Sequence, residues 1–143
     1  FKDRHGYFVS MQERVKAAAP HADAIMASSE GRRLATQFTT VSFEHIPAEL
    51  LVHQMLGVVG CSVVTLAEYA EREGYDLDAE KIDCPVRVVW GTDDRLLPWP
   101  SAAVRYRDWL PQADWVELEG VGHCPQLDVP LETAQLILGL TKP

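Results

Sequence analysis

The sequence has 143 residues, 47% hydrophobic and 24% charged, the balance of a chain able to bury one core. Its 21 acidic and 13 basic residues leave a net charge of −8, which repels phosphate backbones and argues against a nucleic-acid partner. The cysteines Cys61, Cys84 and Cys124 form no CxxC spacing, which argues against a disulfide framework or zinc site and sets a reducing, cytoplasmic location as the expectation.

No apolar run approaches the length of a transmembrane helix, so no membrane partner is expected. The chain opens Phe1-Lys2-Asp3 rather than with methionine. The expectation is that residues precede Phe1 or that the chain is an excised piece, with any targeting segment upstream.

Residues 1 to about 80 read as helices. Ser10-Met-Gln-Glu13 has the capping-box pattern and predicts a helix that stops at Pro20. Two short helices are predicted around 21–29 and 31–38. Pro47 suits the first position of a further helix, behind which Leu50, Leu51, Met55, Val58 and Val59 recur at roughly helical spacing. Another helix is predicted from Ser62 to Glu73, closed by Gly74.

The pattern changes after Pro85. Val86 to Trp90 is a β-rich run that stops at Gly91, and Trp115 to Leu118 is a second, followed by Gly120 and Gly122. Helical patterns fill Pro100 to Leu110 and Pro130 to Leu140. Strand, helix, strand, helix makes one parallel βαβ unit with a closing helix. Two parallel strands need neighbours, so the expectation is the edge of a larger sheet and an incomplete domain.

In open α/β sheets, chemistry sits in loops at the carboxyl ends of the strands. "WGTDDRLLP" follows the first strand and carries Asp93 and Asp94. "GVGHCP" follows the second and carries His123. A carboxylate in one loop can accept a hydrogen bond from an imidazole in the other. That fixes the tautomer and leaves the second ring nitrogen free as a base. Singly, an Asp in such a loop forms a turn and a His is a loop residue; together, on adjacent strand ends, they point to proton transfer.

Two stretches, "CPVRVVWGTDDRLLP" and "EGVGHCPQLDVPLETAQLI", resemble the carboxyl-terminal end of an α/β-hydrolase. In that family a G-x-x-D-x-x-x-P segment carries the catalytic acid. Gly91, Asp94 and Pro98 fill it here, so the resemblance points to Asp94 rather than Asp93. The family's catalytic histidine maps to His123, at a separation from Asp94 close to the family's own. "PQLDVP" is similar to the family's P-x-x-E-x-P, with Asp128 in place of the common Glu. The fold implied is α/β: a helical cap (1–80) followed by the last two parallel strands and helices of the hydrolase core (81–143).

The family's nucleophile is usually the serine of G-x-S-x-G between strand and helix. Of Ser10, Ser28, Ser29, Ser42, Ser62 and Ser101, only Ser62 in "GCSVV" comes near. Val64 crowds the turn, and the preceding residues read as helix. The stretch from Ser62 to Asp94 is also too short for the intervening strand, helices and cap. Ser62 is expected to start a helix. Cys61 and Cys124 are likewise not expected as nucleophiles. The resemblance therefore implies that an amino-terminal half, on another chain or removed, supplies the nucleophile and the oxyanion-hole amides, and that this chain alone is inactive.

The Leu, Val, Met and Ala content of 1–80 fits a pocket wall for a small to medium apolar substrate, although such residues are more often simply the core of the cap. The expected reaction is hydrolysis of an ester or carbon–carbon bond through a nucleophile–His–Asp triad. The alternatives are an aspartate nucleophile, as in epoxide hydrolases and haloalkane dehalogenases, and a non-catalytic fragment or binding module. Tyr7, Tyr69 and Tyr75 would serve epoxide opening as proton donors, but read first as solvent-facing. Arg95 reads as a surface charge, and His5, His21, His45 and His53 show no metal spacing. No cofactor or metal is expected. Expected partners are the amino-terminal half and a small-molecule substrate, with a homo-oligomer left open.

Overall fold

The computed structural model describes residues 2–74 and 78–141. The chain divides into two units, Phe1–Ala35 with Ile46–Asp76 and Thr36–His45 with Leu77–Pro143. Residues 36–45 thus cluster with the carboxyl-terminal unit, although a sequence reading groups them with the helices of 1–80. Tyr75 lies outside the described residues, as do the side chains of His5 and Tyr7.

The first unit is helical: α1 (Lys2–Ala18), a 3-10 turn (Ala19–His21), α2 (Ala22–Ala27), α3 (Ser29–Thr36, which ends at the unit boundary), α4 (Ala48–Val59) and α5 (Val63–Glu73). α1 begins well before Ser10, so the Ser10–Glu13 pair lies inside a helix rather than capping one. The same i, i+3 spacing of polar residues arises on any solvated helical face. α1 does end just before Pro20, whose ring cannot continue an α-helix. Pro47 is the residue before α4 rather than its first helical position. The inner face of α4 is Leu51, Val52, Met55, Val58 and Val59, whereas Leu50 is exposed.

α1 packs on α4 and α5, and α2 on α4. Met26, Ala22, Ile46 and Leu51 are buried at the centre. Gln12 of α1 is also buried, because its amide donates to the carbonyls of Val58 (3.1 Å) and Cys61 (2.6 Å). Those carbonyls lie at and just beyond the end of α4, where the regular helical ladder stops and Val58 O accepts the N–H of Cys61 as well. Ser28 caps α3 by accepting from the N–H of Gly31 at 3.0 Å. Gly31 is held so close that a Cβ there would stand 2.0 Å from the carbonyl oxygen of Ile25. Ser62 stands at the start of α5, preceded by helix and not by a strand.

The second unit holds a 3-10 turn (Ala79–Lys81), β1 (Arg87–Gly91), α6 (Ala103–Trp109), β2 (Asp114–Leu118), α7 (Pro125–Asp128) and α8 (Pro130–Thr141). β1 and β2 pair in parallel, with Arg87 opposite Asp114 and Gly91 opposite Leu118. Side chains alternate along each strand. One face carries Val88, Trp90, Trp115 and Glu117, and the rings of Trp90 and Trp115 stack at 6.3 Å. α6 covers this face: Tyr106 meets Trp90 at 5.7 Å, and Arg107 pairs with Glu117 while lying over the ring of Trp115. On the opposite face Arg87 bridges Asp114 and donates to the carbonyl of Leu136 in α8. Helices therefore lie on both faces, as a parallel sheet requires. The sheet has two strands among the described residues, and α8 leaves Leu131, Ile137 and Leu138 exposed. Among the described residues no single helix is long and apolar enough to cross a membrane.

Candidate active site

The two loops at the carboxyl ends of β1 and β2 meet because Gly91 lacks a side chain. A Cβ there would stand 2.1 Å from the carbonyl oxygen of Val121 and 2.4 Å from that of Gly122. The backbones then tie directly: Thr92 N–H donates to Leu118 O, and Asp93 N–H to Val121 O, each at 3.0 Å. Gly120 turns the second loop at φ +68°, a conformation open to glycine, and its N–H donates to the Thr92 hydroxyl.

Asp94 is buried, with 7% of its surface exposed. Its Oδ1 accepts the backbone N–H groups of Leu96 and Leu97, both at 2.8 Å, which fixes the carboxylate plane. Its Oδ2 accepts from Nδ1 of His123 at 2.8 Å. A carboxylate can only accept, so Nδ1 carries a proton in this contact, and in the neutral ring Nε2 is then the nitrogen with the free lone pair. The His123 side chain is 35% exposed, and among the described residues Nε2 has no hydrogen-bond partner.

Asp94 and His123 border an open depression of about 270 Å³, lined also by Val88, Trp90, Tyr106 and Leu110. The depression runs along β1, whose edge away from β2 is unpaired among the described residues. No serine, threonine or cysteine lines it among those residues. Ser42, Ser62 and Ser101 are exposed, and Ser101 is occupied with the carbonyl of Pro98.

Cys124 neighbours His123 but is unsuited to attack. Burial pushes its thiol above the ordinary value of 9.0, and the charges of Asp128 and Asp94 push it further up. The reactive species is the thiolate. Iodoacetamide at neutral pH is expected to label the exposed Cys61 and Cys84 first, with Cys124 catching up only as pH rises well past that of a simple thiol. Peptide mass spectrometry of a labelling time course reads this, and early labelling of Cys124 would refute it.

The other residues singled out by sequence are not drawn into the site. Asp93 has an exposed side chain and contributes only its backbone N–H. Arg95 is exposed as expected, yet its guanidinium donates to the carbonyl of Gln37 at 3.0 Å. Tyr69 is exposed beneath the guanidinium of Arg72. His45 donates through Nε2 to the carbonyl of Leu127 at 2.7 Å. Among the described residues no group of three or more His, Cys, Asp or Glu is arranged to hold a metal ion.

Sequence reasoning missed the contribution of residues 36–45 and of Asp128. The Asp128 carboxylate accepts from the backbone N–H groups of Gly122, Val41 and Ser42. The motif "PQLDVP" flagged the position without indicating its partners, of which Val41 and Ser42 lie in the distant first half of the chain.

This arrangement agrees with what the chain resembles. The alpha/beta hydrolase fold family matches residues 22–130. A curated non-heme chloroperoxidase of Streptomyces lividans is 33% identical over 69 residues, which make up 48% of this chain and 25% of that protein. A solved structure of a membrane phospholipase A, described as a bacterial virulence factor, superposes with a TM-score of 0.54 and 26% identity, covering 82% of this chain and 39% of that one. The chain spans less than half the length of either relative. With parallel strands delivering an acid and a histidine to adjoining loops, and a family match over residues 22–130, the chain belongs to the α/β-hydrolase fold family.

Proposed function

We propose that this chain provides the acid and base of a hydrolase that cleaves an ester or carbon–carbon bond in a small to medium apolar substrate. His123 is the general base, taking a proton at Nε2 and returning it to the leaving group. Asp94 holds the imidazole in that tautomer and stabilises the imidazolium as it forms. The observation that carries this reading is the 2.8 Å contact between His123 Nδ1 and the buried Asp94 Oδ2. The nucleophile and oxyanion donors come from an amino-terminal half of the hydrolase, whose strand would pair with the free edge of β1. The helical unit, residues 1–35 with 46–76, acts as the cap of that hydrolase. The small sheet and the absence of serine, threonine and cysteine from the lining of the depression among the described residues support that division. The likeness to a phospholipase A is in keeping with an ester substrate.

Fluorophosphonate labelling of the full protein tests the reading, because the probe requires an activated serine. A serine outside this chain should be labelled, and His123→Ala should suppress the labelling. Hydrolysis without labelling would shift the nucleophile to an aspartate. Hydrolysis indifferent to His123→Ala would end the proposal.

A further inference from the structure

We propose that Asp128 is a positioning residue for His123, acting by clamping the histidine loop to the strap of residues 36–45. The reasoning starts from where its hydrogen bonds go. Oδ2 of Asp128 accepts the N–H of Gly122 at 2.7 Å, the residue immediately before His123. Oδ1 accepts the N–H groups of Val41 and Ser42, both at 2.9 Å, and the Val41 N–H also reaches Oδ2 at 3.1 Å. On the other side of the histidine, the N–H of Cys124 donates to the carbonyl of Thr39 at 2.7 Å. Both peptide neighbours of His123 are therefore fixed to the same strap, one directly and one through the carboxylate.

The fit leaves no slack. A Cβ on Gly122 would meet Asp128 Oδ2, the Thr39 carbonyl oxygen and Thr40 Cα, each at 3.0 Å. The strap also takes the guanidinium of Arg95, from the loop of Asp94, on the carbonyl of Gln37. It is thus bonded to the loops of both members of the acid–histidine pair. A backbone held this way sets where the imidazole stands before any substrate arrives, which is the requirement for a base that must bond Asp94 on one edge and act on the other.

The chemistry of the clamp requires a carboxylate. Every partner of Asp128 is an N–H donor, and both oxygens accept. An amide of the same shape presents an NH2 to one set of donors, so either Gly122 or the Val41–Ser42 pair is lost. Asp128→Glu keeps two accepting oxygens on a longer arm and serves as the conservative variant.

The kinetic consequence rests on the proposed role of His123 as base, whereas the tautomer can be read without substrate. Imidazole 15N spectra of the full protein at neutral pH should show a single Nδ1–H tautomer. Asp128→Asn should yield a mixture with Nε2–H, and kcat should fall about 100-fold with KM little changed, the scale expected for a reacting group displaced by about 1 Å. Asp128→Glu should restore the single tautomer and most of kcat. A single tautomer with undiminished kcat in Asp128→Asn overturns the proposal, as does a mixture that Asp128→Glu fails to correct. If Asp128→Asn loses its near-ultraviolet tryptophan signal, Gly122→Ala presses on the same clamp from the loop side. A folded Gly122→Ala protein with mixed tautomers supports the role; one with a single tautomer, or one that is also unfolded, overturns it. Mixed tautomers in Asp128→Asn from a protein with no hydrolytic activity at all would remove the base assignment and leave the clamp standing.

Discussion

Asp94→Asn in the full protein is expected to lower kcat about 10,000-fold at neutral pH with little change in KM or melting temperature. The expectation follows from the way the carboxylate is already committed. Oδ1 is held by the N–H groups of Leu96 and Leu97, and an asparagine can keep those bonds only by placing its carbonyl oxygen there. Its NH2 group then faces His123 where Oδ2 stood. Two donors cannot share one hydrogen bond, so the imidazole proton must move from Nδ1 to Nε2. The nitrogen that should accept a proton from the nucleophile is then occupied. The loss is worth about 5.5 kcal/mol of transition-state stabilisation. It should appear with the loop intact, because the two backbone bonds survive. Steady-state rates on p-nitrophenyl esters, with thermal melts as the control, measure it. Undiminished turnover would mean that Asp94 takes no part in the reaction. The experiment does not separate a serine from an aspartate nucleophile, since both rely on the same tautomer.

The acid and the histidine were legible because their signals are local. Each follows a β-rich run and a glycine, and the parallel pairing of those runs follows from the helix between them. The register then delivers the two loops together: Gly91 and Leu118, the last residues of β1 and β2, are partners. Helix ends were legible where the chemistry is unambiguous, as at Pro20 and Gly74. They were not where a pattern has two causes: Ser10 and Glu13 match a cap and lie inside α1. α7, from Pro125 to Asp128, is too short for any periodicity to announce it. The strap is the deeper omission. Residues 39–45 carry no helical or strand pattern, the helix predicted to run to 38 stops at Thr36, and the strap is bonded within the second unit by backbone hydrogen bonds to Asp128 and from Cys124. Those bonds use groups that every residue possesses, so no side-chain pattern in "TQFTTVSFEH" reveals them.

Gly91→Ala should damage stability and activity together. The added methyl carbon would stand 2.1 Å from Val121 O, 2.4 Å from Gly122 O and 2.6 Å from Val121 C. All three are backbone atoms, so no side-chain rotation relieves the overlap and the loop itself must retreat. Forcing extra volume into such a contact costs about 1–3 kcal/mol, occasionally more. Retreat also stretches the bond from Asp93 N–H to Val121 O and carries His123, which follows Val121 closely in the same loop, away from Asp94. A displacement of about 1 Å at a reacting group costs about 100-fold in rate. The alanine protein should therefore show a lower urea midpoint and a kcat/KM reduced by about that factor. Gly57→Ala is the matched control: it lies within α4, nothing stands within 4 Å of its Cβ position, and alanine there should stabilise by about 0.5–1 kcal/mol. If Gly91→Ala behaved like that control, the close approach of the two loops would not be what brings Asp94 and His123 together. The hydrogen bond between them would then need another origin, whereas a joint loss of stability and rate ties the pairing of Asp94 with His123 to one missing side chain.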